Sequence, residues 1–154
     1  MILVVGAEAG RVRAEIDDPR VIVERNPLWR DGLATSIRRG IMAVRDHDRD
    51  VEAAVLMACD QPHLAPRVLQ KLIEAYRSRA DRAATMAACA YGGTVGTPAL
   101  FARSHFDRLA GLAGDRGAQG LLLECPDAVI RVDWPEGEID VDRPEDASRR
   151  DRRR

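Results

Sequence analysis

The stretch Ala53-Ala54-Val55-Leu56-Met57-Ala58, followed at once by Cys59-Asp60-Gln61-Pro62, decides the fold. An apolar run without alternation suits a central strand covered on both faces, as in a parallel sheet. Downstream, Pro66 fits the first turn of a helix whose apolar stripe is Val68, Leu69, Leu72, Ile73 and Tyr76. Upstream, Ile2 to Val5 end at Gly6 and feed helix-forming residues from Ala7 to Ile16, which Asp17-Asp18-Pro19 stops. A short strand at Val21-Ile22-Val23 leads to the turn signal Asn26-Pro27. Asp31 is then placed to cap a helix carrying Leu33, Ile37, Ile41 and Val44. Past the deciding stretch, a strand is expected over about Ala84 to Tyr91, followed by the glycine-rich Gly92 to Gly96 and an extended piece from Pro98 to Phe101. Short helices around Ser104 to Leu112 and Ala118 to Glu124, a strand near Val129 to Val132 and an extended segment at Glu138 to Val141 complete the chain. Strands alternating with helices predict an α/β sandwich with a mostly parallel sheet, in which ligands bind at the carboxyl ends of the strands.

The 154 residues suffice for one domain, expected over residues 1–147, with 148–154 a basic disordered tail. Formal charge is -1, from 24 basic and 25 acidic residues, so no global field draws nucleic acid or a membrane surface. Cys59, Cys89 and Cys125, and likewise His47, His63 and His105, lack disulfide or zinc spacing, which points to a reducing cytoplasm. Neither a signal peptide nor a bilayer-spanning run is evident.

Asp60 leaves the end of the most apolar strand, where a carboxylate suits a hard cation such as Mg2+; the alternative is an Asx-type cap on the next turn. Asp140 and Asp142 alternate along the closing extended segment and would face one way, like a metal pair, or belong to a solvated acidic loop with Glu136, Glu138, Glu145 and Asp146. Asn26 to Ser36 set a turn, Trp29 and Gly32 before a helix amino terminus, where backbone N–H groups favour an anion. Gly32 and Ser36 are the candidate nucleotide contacts there, and Trp29 reads equally as a staple of the helix to the core. Two more glycine-marked loops, Gly92 to Pro98 and Gly114 to Ala118, would let a backbone approach a ligand closely, although glycine also simply makes turns.

Read in order, five motifs carry a resemblance: Asn26-Pro27 with Trp29, Gly32-Leu33 and Ser36-Ile37; Cys59-Asp60-Gln61-Pro62; Gly96 with Pro98-Ala99-Leu100-Phe101; Leu112 with Gly114-Asp115 and Gly117-Ala118; and Asp140-Val141-Asp142 with Pro144-Glu145-Asp146. Together they resemble the MobA-like nucleotidyltransferases, and within them the molybdenum-cofactor cytidylyltransferases. The resemblance implies a Rossmann-like three-layer α/β/α sandwich. It also implies attack of an acceptor phosphate, of molybdopterin type, on the α-phosphorus of CTP with release of pyrophosphate. Asp60 and Asp142, with Asp140, would hold Mg2+, while Gly32, Ser36, Gly96, Pro98, Gly114 and Asp115 would contact the nucleotide. Members of that family carry an earlier strand and a glycine-rich loop with arginine and lysine, which Gly6 to Arg11 do not reproduce. The expectation is therefore a domain lacking its first strand, slow in catalysis, with exposed sheet edges open to homo-oligomer formation. GTP or a sugar-phosphate acceptor, or a non-catalytic nucleotide-binding accessory role, are the alternatives.

Overall fold

The computed structural model describes residues 1–115 and 117–139. Strand β1 (Ile2–Val5) leads through helix α1 (Ala9–Ala14) to β2 (Ile22–Arg25), and the two strands pair in parallel from Ile2↔Ile22 to Val5↔Arg25. Helix α2 (Leu33–His47), strand β3 (Ala53–Leu56) and helix α3 (Pro66–Arg77) follow. A hairpin of β4 (Met86–Tyr91) and β5 (Thr94–Ala102) precedes α4 (Phe106–Ala110), α5 (Gln119–Glu124) and β6 (Val129–Asp133).

The last four strands form one sheet in the order β3-β5-β4-β6, with β5 antiparallel to both neighbours and β4 parallel to β6. β3, β4 and β6 thus run the same way and end at a common edge. Among the described residues the β1–β2 pair is a separate two-stranded sheet. Helix α2 ties the two together. Ile37 and Ile41 enter the core of the four-stranded sheet with Met86, Ala88, Ala99 and Phe101, while α2 also packs on β1, where Gly40 faces Val4.

Alternate residues of β4 and β5 explain the layers. Met86, Ala88, Ala99 and Phe101 face α2, α4 and α5, whereas Ala87, Cys89, Leu100 and Ala102 face Val68, Leu72 and Tyr76 of α3. Helices on both faces of a sheet make the Rossmann-like three-layer sandwich that the sequence predicts.

Three local expectations are corrected. Asp31 does not cap α2: it lies in a 3-10 turn (Trp29–Asp31), and Gly32 takes the cap position without any side-chain cap bond. The glycine-rich stretch is not a loop from 92 to 96, because Gly92 and Gly93, both with positive φ (55° and 77°), make a two-residue hairpin turn and β5 begins at Thr94. Glu138 is not extended but ends a 3-10 turn over Pro135–Glu138. Asp140, Asp142 and the tail lie outside the described residues. No helix among the described residues is long and apolar enough to cross a membrane.

Candidate nucleotide site

Two clusters of polar groups form where the chain leaves its strands. The first follows β2. Asn26, only 3% exposed, donates from Nδ2 to Thr35 Oγ1 (2.8 Å) and Ser36 Oγ (3.0 Å), and its Oδ1 accepts from the Leu28 N–H (3.0 Å). One buried amide thereby fixes the turn after β2 to the first turn of α2. Ser36 receives the Asn26 proton and donates its own to nothing among the described residues. Trp29 packs against Gly6 at the end of β1, and the Arg30 guanidinium stacks 5.0 Å from the Trp29 ring, so Trp29 does staple this turn to the strand.

The loop carrying Gly114 and Asp115 docks on the same helix start. The Gly114 carbonyl accepts the Ala34 N–H at 3.1 Å. Gly32, at φ 103°, leaves no room for a side chain, since a Cβ would lie 2.5 Å from the Gly114 backbone and 2.7 Å from the Asp115 carboxylate. Its glycine is explained by this close approach. The α2 amino terminus is accordingly shared with a protein carbonyl.

The second cluster lies beyond β3. Asp60 is exposed in the turn after the strand and has no hydrogen bond or ion pair among the described residues. Its neighbour Gln61 is 7% exposed and donates from Nε2 to the Thr97 carbonyl (2.9 Å), which also accepts the Tyr91 hydroxyl (2.9 Å). Thr97 and Pro98 sit in a bulge, where the β4–β5 register passes from Cys89↔Gly96 to Ala88↔Ala99. A Cβ at Gly96 would meet the Tyr91 hydroxyl end, with the ring carbon that bears it 3.1 Å away. The turn after β6 covers Tyr91 through Trp134, edge-on at 6.0 Å, and brings Glu138 beside Gly92.

Sequence-predicted residues therefore fall into two groups: Gly32, Ser36, Gly114 and Asp115 around the start of α2, and Asp60, Gly96 and Pro98 around the end of β3. Among the described residues no three His, Cys, Asp or Glu side chains form a metal cluster. A lone carboxylate still fits magnesium, which commonly takes one or two protein carboxylates plus substrate phosphates. Asn26, Thr35, Tyr91 and Thr97 went unassigned in the sequence, because their importance lies in long-range partners; only the pairing of Asn26 with Pro27 hinted at a turn. An open hollow of about 900 Å3 lined by Arg45, Glu52, Arg82 and Arg103 lies at the opposite end of the sheet, where β3 and β4 begin, away from these groups.

The fold is an α/β domain with polar groups gathered where the chain leaves its strands. The chain belongs to the MobA-like NTP transferase domain family, which it matches over residues 1–129. It is similar to the solved structure of Rv0371c from Mycobacterium tuberculosis H37Rv, with 32% identity and a TM-score of 0.72 over 96% of this chain and 73% of that one. A second structure of Rv0371c, in complex with manganese, matches with 32% identity and a TM-score of 0.70, covering 96% and 75% of the two chains. A nucleotidyl transferase from Methanothermobacter, Mth528, shares the fold at 24% identity and a TM-score of 0.74, over 96% and 69%. Among curated proteins none matches significantly. Nucleotidyl transfer is thus the family's chemistry.

Proposed function

We propose that this chain transfers CMP from CTP to the phosphate of a molybdopterin-type acceptor, with a divalent cation held by Asp60. An acceptor phosphate oxygen attacks the α-phosphorus, the bond to the β-phosphate oxygen breaks, and pyrophosphate leaves. The observation that carries the reading is Asp60 itself, an exposed carboxylate without a partner among the described residues, in the turn that follows β3, the outer strand of the four-stranded sheet. Magnesium there would neutralise triphosphate charge and orient the leaving group. The manganese in the Rv0371c complex supports a divalent ion in this chain too. Asp142, with Asp140, would complete the ion's shell. Ser36, with a hydroxyl proton to give, and the Gly32 and Gly114 backbones would face the nucleotide. The choice of CTP rests on the resemblance of the Asp140-Val141-Asp142 motif to the cytidylyl branch.

The test is pyrophosphate release from CTP and from GTP, with a pterin-phosphate acceptor, as Mg2+ or Mn2+ is titrated. Asp60→Asn should lower turnover roughly a hundredfold, as loss of one preorganised electrostatic group in an active site typically does. Wild-type turnover in Asp60→Asn would overturn the site. Nucleotide binding without pyrophosphate release from any acceptor would favour an accessory role, and preference for GTP would overturn the cytidylyl choice.

A further inference from the structure

We propose that Gln61 is a positioning residue for nucleotidyl transfer, holding Asp60 at the metal position by tying its loop to the Thr97 carbonyl. The role rests on Asp60 being the metal ligand, as proposed above.

The bulge in β5 leaves Thr97 and Pro98 outside the ladder, so the Thr97 carbonyl has no strand partner and points to side chains instead. β3 pairs with β5 up to Leu56↔Ala99, so the bulge lies directly beside the place where the chain leaves β3 towards Asp60. Gln61 Nε2 bonds that carbonyl at 2.9 Å, and Tyr91 bonds it at the same distance from the hairpin. A carbonyl demands a donor, so the amide nitrogen must face Thr97, and Oε1 is then buried without a partner among the described residues. A buried unpaired acceptor is costly, and a methionine of similar length would avoid the cost. The amide is thus a poor choice for packing and a good one for a single bond, and that bond holds the residue next to Asp60. The Leu64 N–H, bonded to the Gln61 carbonyl at 3.2 Å, fixes the other side of the same turn.

Positioning separates from mere structure in an identifiable way. Gln61→Met removes the bond together with the unpaired acceptor, so the thermal midpoint should not fall, while Asp60 loses its tether. The expected result is a rise of about tenfold in the half-saturating Mg2+ concentration and a similar fall in kcat, the usual scale for groups that orient metal ligands. KM for CTP at saturating metal should change by less than about twofold, since uniform substrate binding is untouched. Gln61→Glu, with the same shape but an acceptor facing an acceptor, should move metal dependence the same way, and it carries the test if Gln61→Met does not fold. Unchanged metal dependence in folded variants, with Asp60→Asn inactive, would overturn the role of Gln61 alone. Metal-dependent activity surviving in Asp60→Asn would overturn the metal reading of Asp60, and Gln61's role with it.

Discussion

Strand β1 of the two-stranded sheet and strands β4 and β5 of the four-stranded sheet are all largely apolar, yet they are buried to very different degrees. Met86, Ala87, Ala88 and Cys89 of β4 and Ala99 and Phe101 of β5 are wholly inaccessible, whereas in the β1–β2 pair only Val5 is buried. Yet Ile2-Leu3-Val4-Val5 is the more hydrophobic run, and β4 is mostly alanine. The difference comes from cover. β4 lies between α3 on one face and α2, α4 and α5 on the other, and alanine there lets helices approach closely. The two-stranded sheet has α2 packed against it, while α1 contributes no buried residue. Stability should therefore reside in the four-stranded sheet, and the β1–β2 pair should depend on α2.

The largest expected effect breaks the better-covered side. Phe101→Ala, at a fully buried position, should cost about 3–5 kcal/mol in urea unfolding. Val4→Ala, at a half-buried position on the β1–β2 pair, should cost about 1 kcal/mol. Equal losses would show that the two sheets share one core.

Next is the joint between the regions. Asn26→Ala removes three hydrogen bonds around a side chain that is 3% exposed, leaving the Leu28 N–H and the Thr35 and Ser36 hydroxyls to find other partners. A loss of about 2 kcal/mol is expected, with amide exchange accelerated in β2 and the first turn of α2 but not in β4. Faster exchange throughout β4 would mean that the joint supports the whole domain.

What the sequence disclosed follows the same division. The Pro66 helix was legible because it combines a strong apolar pattern with a definite start signal, and a strand before Asp60 was legible too, but not its place: β3 covers only Ala53–Leu56, lies at the edge of the four-stranded sheet and is half-buried rather than central and covered on both faces. The layered fold followed from their alternation. The hairpin at Gly92-Gly93 was obscured because a third glycine, Gly96, extended the apparent loop, although that glycine lies within β5 against the Tyr91 hydroxyl across the hairpin. That Asp60 leaves the strand into an exposed turn was visible from position alone. Gln61 was quoted as part of a motif but its bond was not, because a contact spanning 36 positions to Thr97 leaves no local trace. The Asp31 cap failed for a similar reason: the Gly114 carbonyl, distant in sequence, already meets the first turn of α2.

The smallest effect sharpens the comparison through a thiol. Cys89 is fully buried in β4, and burial pushes its pKa up from 9.0 to about 11. In the fold it keeps its proton where the unfolded chain releases one, so above pH 9 the unfolded state binds fewer protons and stability must fall. The contribution is intact below pH 9 and lost progressively between 9 and about 11. At pH 10 the loss should be about 1 kcal/mol relative to pH 8. Other groups titrate there too, so the measurement is the difference in pH slope between wild type and Cys89→Ala by urea unfolding. Cys89→Ala will start less stable because it leaves a small cavity, but its slope should be shallower. Cys59 is exposed and supplies the contrast: a maleimide reagent at pH 8 should label it in the folded protein, while Cys89 reacts only as the four-stranded sheet opens. Identical pH slopes, or labelling of Cys89 as fast as Cys59, would show that β4 opens as readily as an exposed turn and would remove the distinction between the two sheets.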